Sequence, residues 1–95
     1  MDGRSFSVLA TAQGLQAASM ILAPGESSGA KGNEHPKSEQ LLLVLEGTVV
    51  AEVGGETKTL RSGDFVIVPR DAPHVFRNPG STQAVTFNVY APPAY

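Results

Sequence analysis

The sequence predicts an all-β domain, and three observations support this fold class. Short apolar runs recur along the chain, and each is bounded by Gly, Pro, Asn or Ser. Helical periodicity is weak, because Gly14 interrupts its best candidate, Ala10 to Ala18. Ten glycines and seven prolines divide the 95 residues, as expected for many strands joined by tight turns.

The apolar runs predict the strands in order. They are Phe6–Leu9, Leu15–Leu22, Gln40–Glu46, Thr48–Val53, Glu56–Leu60, Phe65–Val68, Val75–Asn78 and Gln83–Tyr90. The second ends at Pro24-Gly25, before a polar, glycine-rich loop from Ser27 to Gly32. Gly47 separates the third strand from the fourth, and Gly54-Gly55 suit the positive φ angles of a primed hairpin turn.

Tight turns also separate the later strands. Ser62-Gly63-Asp64 precedes Phe65, and Pro79-Gly80-Ser81 precedes the last strand. Proline has no N–H to donate, so Pro92-Pro93 ends the final ladder. We expect the tail after it to fold over the barrel or to reach a partner subunit.

The run Leu41 to Leu45 is apolar on both faces, whereas a half-buried strand alternates. One face would line the interior, and the other also needs a cover. A second copy of the chain is the expected cover, which predicts a homodimer. The alternative is that flanking strands of the same chain cover it.

Length and charge limit the classes of function. Residues 1–95 suffice for one domain with a modest core. The net charge of −2, without a basic cluster, argues against a nucleic-acid partner, and no apolar run could span a membrane. The chain has no cysteine, and its first residues do not resemble a secretory signal, so we expect a cytoplasmic protein.

The chain's two histidines are the first candidate site residues. In a strand after Pro73, His74, Phe76 and Asn78 would share one face and Arg77 the other. Because Arg77 belongs in solvent, His74 should point inward, where it needs a metal, a hydrogen bond or a ligand. His35 could reach the same cavity if the sheet curls into a barrel. Met20, Leu42, Phe76 and Phe87 are candidates for its apolar lining.

The second histidine lies in a spaced pattern, Gly63, Pro69, His74 and Asn78. The pattern resembles the second motif of the cupins, G(X)5PXG(X)2H(X)3N, with Asp71 in place of its second glycine. Asp tolerates the left-handed backbone conformation better than most residues, so the turn can survive. The resemblance covers about residues 23–93. It implies a single-domain, RmlC-like cupin of the conserved-barrel type, a jelly-roll or double-stranded β-helix barrel.

The first cupin motif, HXH(X)3–4E(X)6G, is matched in frame by His35 and Gly47. The resemblance implies four metal-ligand positions, which here hold Asn33, His35, Gln40 and His74. Two amides thus replace an imidazole and a carboxylate. Amides offer only neutral oxygens, so a divalent metal (Mn, Fe, Ni or Zn) would be held loosely.

Two functions follow from this resemblance. The first is a metal-dependent cupin acting on or holding a small organic molecule, by oxygenase, isomerase or decarboxylase chemistry if it is an enzyme. The alternative is a metal-free module without catalytic activity, in which the same side chains hydrogen-bond a small-molecule ligand. Amides suit the second role because they both donate and accept.

Overall fold

The computed structural model describes residues 5–28 and 37–95, and all regular structure in them is β. The strands are β1 (Ser5–Thr11), β2 (Gln16–Leu22), β3 (Glu39–Glu46), β4 (Thr48–Val53), β5 (Glu56–Arg61), β6 (Phe65–Val68), β7 (His74–Arg77) and β8 (Ala84–Ala91). Every strand expected from the sequence is therefore present, with bounds that differ by one or two residues at most ends. No helix in these ranges is long and apolar enough to cross a membrane.

The strands form two antiparallel sheets. The larger sheet has the order β1-β2-β8-β3-β6, and the smaller has the order β5-β4-β7. The buried apolar side chains of both sheets form one cluster that includes Leu22, Leu42, Val49, Val68 and Phe76. The two sheets thus enclose a single interior, as expected for a jelly-roll barrel.

The turns have the backbone conformations that their residues predict. Gly54 and Gly55 have φ angles of 57° and 92°, and Asp71 has a φ of 63°. Gly47 has a φ of 84°, and a Cβ built on it would lie 2.6 Å from the backbone oxygen of Gln83. A side chain at position 47 would meet this backbone as well as the strain of a positive φ, so the junction of β3 and β4 requires glycine.

Candidate functional site

The inner face of the larger sheet carries more polar side chains than expected, and most of them belong to strand β8. Along β8, Ala84, Thr86, Asn88 and Tyr90 are buried, whereas the alternating Val and Phe side chains are only half-buried. Thr86 and Asn88 have no exposed surface at all. This strand therefore buries its polar face, which reverses the usual preference for apolar side chains inside.

Phe87 consequently does not line the interior, contrary to the prediction from the sequence. Its register partners are Ser19 of β2 and Leu43 of β3, on the outer face of the larger sheet. Met20, Leu42 and Phe76 do lie in the buried cluster. The prediction was wrong for Phe87 because the chain places amide and hydroxyl groups inside at the alternate positions.

The buried polar groups form one continuous chain of hydrogen bonds. Gln40 Nε2 donates to Asn88 Oδ1 at 3.0 Å and approaches the Tyr90 hydroxyl at 3.4 Å. Asn88 Nδ2 donates to Thr86 Oγ1 at 3.0 Å, and Thr86 Oγ1 donates to the Met20 carbonyl at 2.9 Å. This series of hydrogen bonds runs across β3, β8 and β2, and it fixes the orientation of the Gln40 side chain.

Gln40 Oε1 is the open end of this chain. The residue is 3% exposed, and no described residue donates a hydrogen bond to that oxygen. A buried carbonyl oxygen without a donor loses roughly 1–3 kcal/mol relative to one in water. An acceptor of this kind is the natural contact for a ligand donor or a cation.

His74 is buried at the start of β7, on the inner face of the smaller sheet, as the alternation of side chains predicted. Its Nδ1 lies 3.0 Å from the carbonyl oxygen of Ala72. Because a carbonyl can only accept, Nδ1 donates this hydrogen bond. A metal held by this imidazole would therefore bind at Nε2.

The predicted ligand set is only partly described. Gln40 and His74 lie on the inner faces of the two facing sheets, while Asn33 and His35 lie outside the described residues. Within residues 5–28 and 37–95, no cluster of three or more His, Cys, Asp or Glu side chains could hold a metal ion. Gln40 and His74 together offer one imidazole and one amide oxygen, a neutral and weak set for a divalent metal.

A cleft of about 290 Å³ opens between the edge strands β5 and β6. Its lining is Ala51, Val53, Gly54, Glu56, Lys58, Val66, Ile67, Pro69 and Ala72. Neither Gln40 nor His74 is in this lining, but both lie near it in the strand ladders. Val53 is the register partner of His74, and Pro69 follows Val68, the register partner of Gln40. The cleft, whose lining mixes apolar side chains with Glu56 and Lys58, therefore lies close in the strand ladders to the positions of the two side chains.

The C-terminal segment 92–95 folds over the barrel beside Gln40, one of the two outcomes expected for the tail. Gln16, which is 1% exposed, donates from Nε2 to the Tyr95 backbone oxygen and accepts at Oε1 from the N–H groups of Ala94 and Tyr95. The Tyr95 ring lies 5.2 Å from that of Tyr90. The tail thus covers the tyrosine that approaches Gln40.

Four polar side chains of the interior, Gln16, Thr86, Asn88 and Tyr90, were not identified from the sequence. A signal for three of them was present in β8, where alternation places Thr86, Asn88 and Tyr90 on one face. The more apolar opposite face concealed it, since that face would normally be assigned to the core.

The sequence matches the cupin domain family over residues 18–90. The polyketide synthase CurC from Streptomyces cyaneus is 38% identical over 64 residues, which cover 67% of this chain and 40% of that protein. Auxin-binding protein ABP19b from Prunus persica is 31% identical over 86 residues, which cover 85% and 40%. The chain thus spans less than half the length of these curated relatives.

Solved structures agree with this match. The crystal structure of TT1209 from Thermus thermophilus superposes with a TM-score of 0.85 at 28% sequence identity. The superposition covers 94% of this chain and 83% of that one.

Proposed function

Since the chain belongs to the cupin domain family, we propose that it binds a small organic molecule in the interior of its barrel. The observation that carries this proposal is the buried Gln40 Oε1, an acceptor that no described residue satisfies. His74 is buried on the inner face of the other sheet, and its register partner Val53 lines the cleft between β5 and β6. An apolar cavity with a few fixed polar groups is typical of small-molecule sites.

The names of the relatives support this class of ligand. One relative is a polyketide synthase protein and another is an auxin-binding protein, so both names concern small organic compounds. The cleft of about 290 Å³ at the edges of β5 and β6 has room for a fragment-sized molecule.

A fragment screen against 15N-labelled protein tests the proposal. We expect bound fragments to shift the side-chain amide signals of Gln40 and Asn88, and Gln40→Leu to weaken binding by about tenfold. The matched control is Gln83→Leu, because Gln83 is exposed in a turn and should leave binding unchanged. If the bound fragments shift only the signals of residues on the outer sheet face, or if no fragment shifts a signal from the interior, the proposal is overturned.

A divalent metal is the second candidate occupant. His35, Gln40, His74 and Asn33 would hold Mn, Fe, Ni or Zn, and the metal would supply Lewis-acid chemistry. The open acceptor at Gln40 Oε1 favours a cation, but the neutral donor set does not fit tight binding. Elemental analysis with titration of the four metals tests it, and stoichiometric metal that is lost in His74→Ala would support it.

We also propose that two chains pair through the outer face of the larger sheet. Register places Ile67, Leu41 and Val89 in one row and Phe65, Leu43 and Phe87 in the next, with no charged residue in either. Phe65 is 59% exposed and Ile67 is 48% exposed. An uncharged apolar face can meet a second copy of itself about a twofold axis without repulsion.

Phe65→Glu should weaken this dimer by about tenfold or more, because two like charges would face each other in the interface. Sedimentation velocity over a concentration series measures the change. Leu15→Glu is the control, since Leu15 is similarly exposed, at 49%, but lies outside the two rows. A wild-type chain that stays monomeric at every concentration would contradict the proposal.

The cytoplasmic location and the catalytic status are expectations from sequence. The absence of cysteine supports a reducing compartment, and cell fractionation tests this location. If the site is catalytic, oxygenase, isomerase and decarboxylase assays with metal-loaded protein are the relevant ones.

A further inference from the structure

The protons in the buried polar chain can be assigned from its far end. Thr86 Oγ1 and the Met20 carbonyl oxygen are both buried and lie 2.9 Å apart. Two oxygens this close must share a proton, and only the hydroxyl has one to give. The single proton of Thr86 is therefore used on Met20, and Thr86 can only accept from Asn88.

This assignment determines the orientation of both amides. Asn88 must turn its NH2 group to Thr86, which leaves its Oδ1 toward Gln40. Gln40 must then turn its own NH2 group to Asn88, so Oε1 is the atom left without a partner. The Tyr90 hydroxyl adds no preference, because a hydroxyl can either donate or accept.

We propose that Thr86 and Asn88 are positioning residues that hold Gln40 Oε1 as a fixed acceptor, and that the site selects ligands with a neutral O–H or N–H donor. The ligand class rests on the proposed function, whereas the orientation of the amide does not. Neither residue needs to touch the ligand, since both act through the amide of Gln40.

The fixed acceptor excludes some ligands as well as favouring others. An ether or a carboxylate would bring a second oxygen against Oε1 with no proton between them, and both would lose their hydrogen bonds to water. A hydroxyl or an amine on the same body would donate to Oε1 and satisfy it. The difference between such ligands comes from one buried polar atom, the kind of site that discriminates best.

The orientation can be tested without any ligand. The side-chain amide protons of Gln40 should exchange with solvent more slowly than those of the exposed Gln13 and Gln83. Thr86→Val keeps the shape of residue 86 but removes the proton donor, so Asn88 has no preferred orientation and Gln40 exchange should rise by about tenfold. Thr86→Ser restores the hydroxyl and should restore slow exchange. Thr86→Ala serves instead if the valine variant does not fold.

Three matched probes test the ligand class by NMR titration. Phenol should bind the interior about tenfold more tightly than anisole or benzoate, and Thr86→Val should bring the phenol-to-anisole ratio toward one. Equal binding of phenol and anisole to the wild-type protein overturns the selectivity. Failure of all three probes to reach the interior counts against the proposed function, while Gln40 exchange still decides the positioning role. If Thr86→Ser behaves like Thr86→Val, the hydroxyl is not the cause and the positioning role is wrong.

Discussion

Gln40→Glu is expected to destabilise the metal-free protein by about 3 kcal/mol at neutral pH. Glutamate matches glutamine in shape, so packing is kept, but an anion would replace an amide that is 3% exposed. The variant also loses the Nε2 donor that now bonds to Asn88 Oδ1. Asn88 can turn its NH2 group to the carboxylate only by giving up its bond to Thr86.

The pH dependence of this variant has a definite sign. Burial disfavours the charged form, so the pKa of the introduced carboxyl would lie above its ordinary range in the folded state. The folded state would then bind more protons than the unfolded state, so stability would fall as pH rises from the ordinary carboxyl pKa to the raised one. Urea denaturation at pH 5 and pH 8 measures the effect, and the loss should be larger at pH 8.

Divalent metal should reverse the same defect. A carboxylate at position 40 offers a metal the negative charge that the native amide does not supply, so affinity for Mn, Fe, Ni or Zn should rise by at least about tenfold. Adding Zn should then restore stability at pH 8. Gln83→Glu is the control, because residue 83 is exposed and its carboxylate stays in water. No tightening for any of the four metals, with sub-stoichiometric metal in the native protein, would overturn the metal hypothesis.

The strands and turns could be predicted from the sequence because their signals are local. Gly54-Gly55, Gly63 and Asp71 adopt positive φ angles, as their residue types and positions suggested. The inward direction of His74 also followed from alternation, since Arg77 on the opposite face is exposed. These features depend on neighbours in the chain and not on distant contacts.

The interior of β8 could not be predicted in the same way. Alternation divides the strand into a Thr86-Asn88-Tyr90 face and a Val85-Phe87-Val89 face, but it does not say which one is inside. The polar face is inside because hydrogen bonds link Gln40 of β3 to Asn88 and Thr86 of β8, and Thr86 to the Met20 carbonyl of β2. Such a choice depends on partners far away in the sequence, so the composition of one strand cannot reveal it.

Because β8 turns its polar side chains inward, its apolar side chains lie on the outer face of the larger sheet. Leu43 on β3 pairs with Phe65 and Phe87, and these residues are partly or largely exposed. The sequence indicated that Leu41 to Leu45 needs a cover on both faces. The flanking strands of the same chain leave Leu45 52% exposed, so they cover the outer face only in part.

Asn78→Ala is the second substitution with a large expected effect on stability. It tests whether the amide of Asn78 serves the fold. Asn78 is 1% exposed, and its Nδ2 donates to the carbonyls of Leu22 and Thr82 at 3.0 and 2.7 Å. Its Oδ1 accepts from the N–H of Gly80 at 2.9 Å. The side chain therefore ties the end of β2 to the turn that follows β7.

Alanine at position 78 would leave two carbonyls and one N–H without this partner, and we expect a loss of about 3–4 kcal/mol, a large part of the stability of a small domain. Urea denaturation checks the value, with Gln83→Ala in the same turn as a control that should change stability by less than about 0.5 kcal/mol. A loss below about 1 kcal/mol would mean that water replaces the amide, contrary to its burial.

Both Asn78 and Gln40 stand at motif positions and both are buried. The chain satisfies the whole amide of Asn78 but only the donor side of Gln40, so Asn78 serves the fold, and the unpartnered oxygen of Gln40 supports the proposal that this residue contacts a ligand.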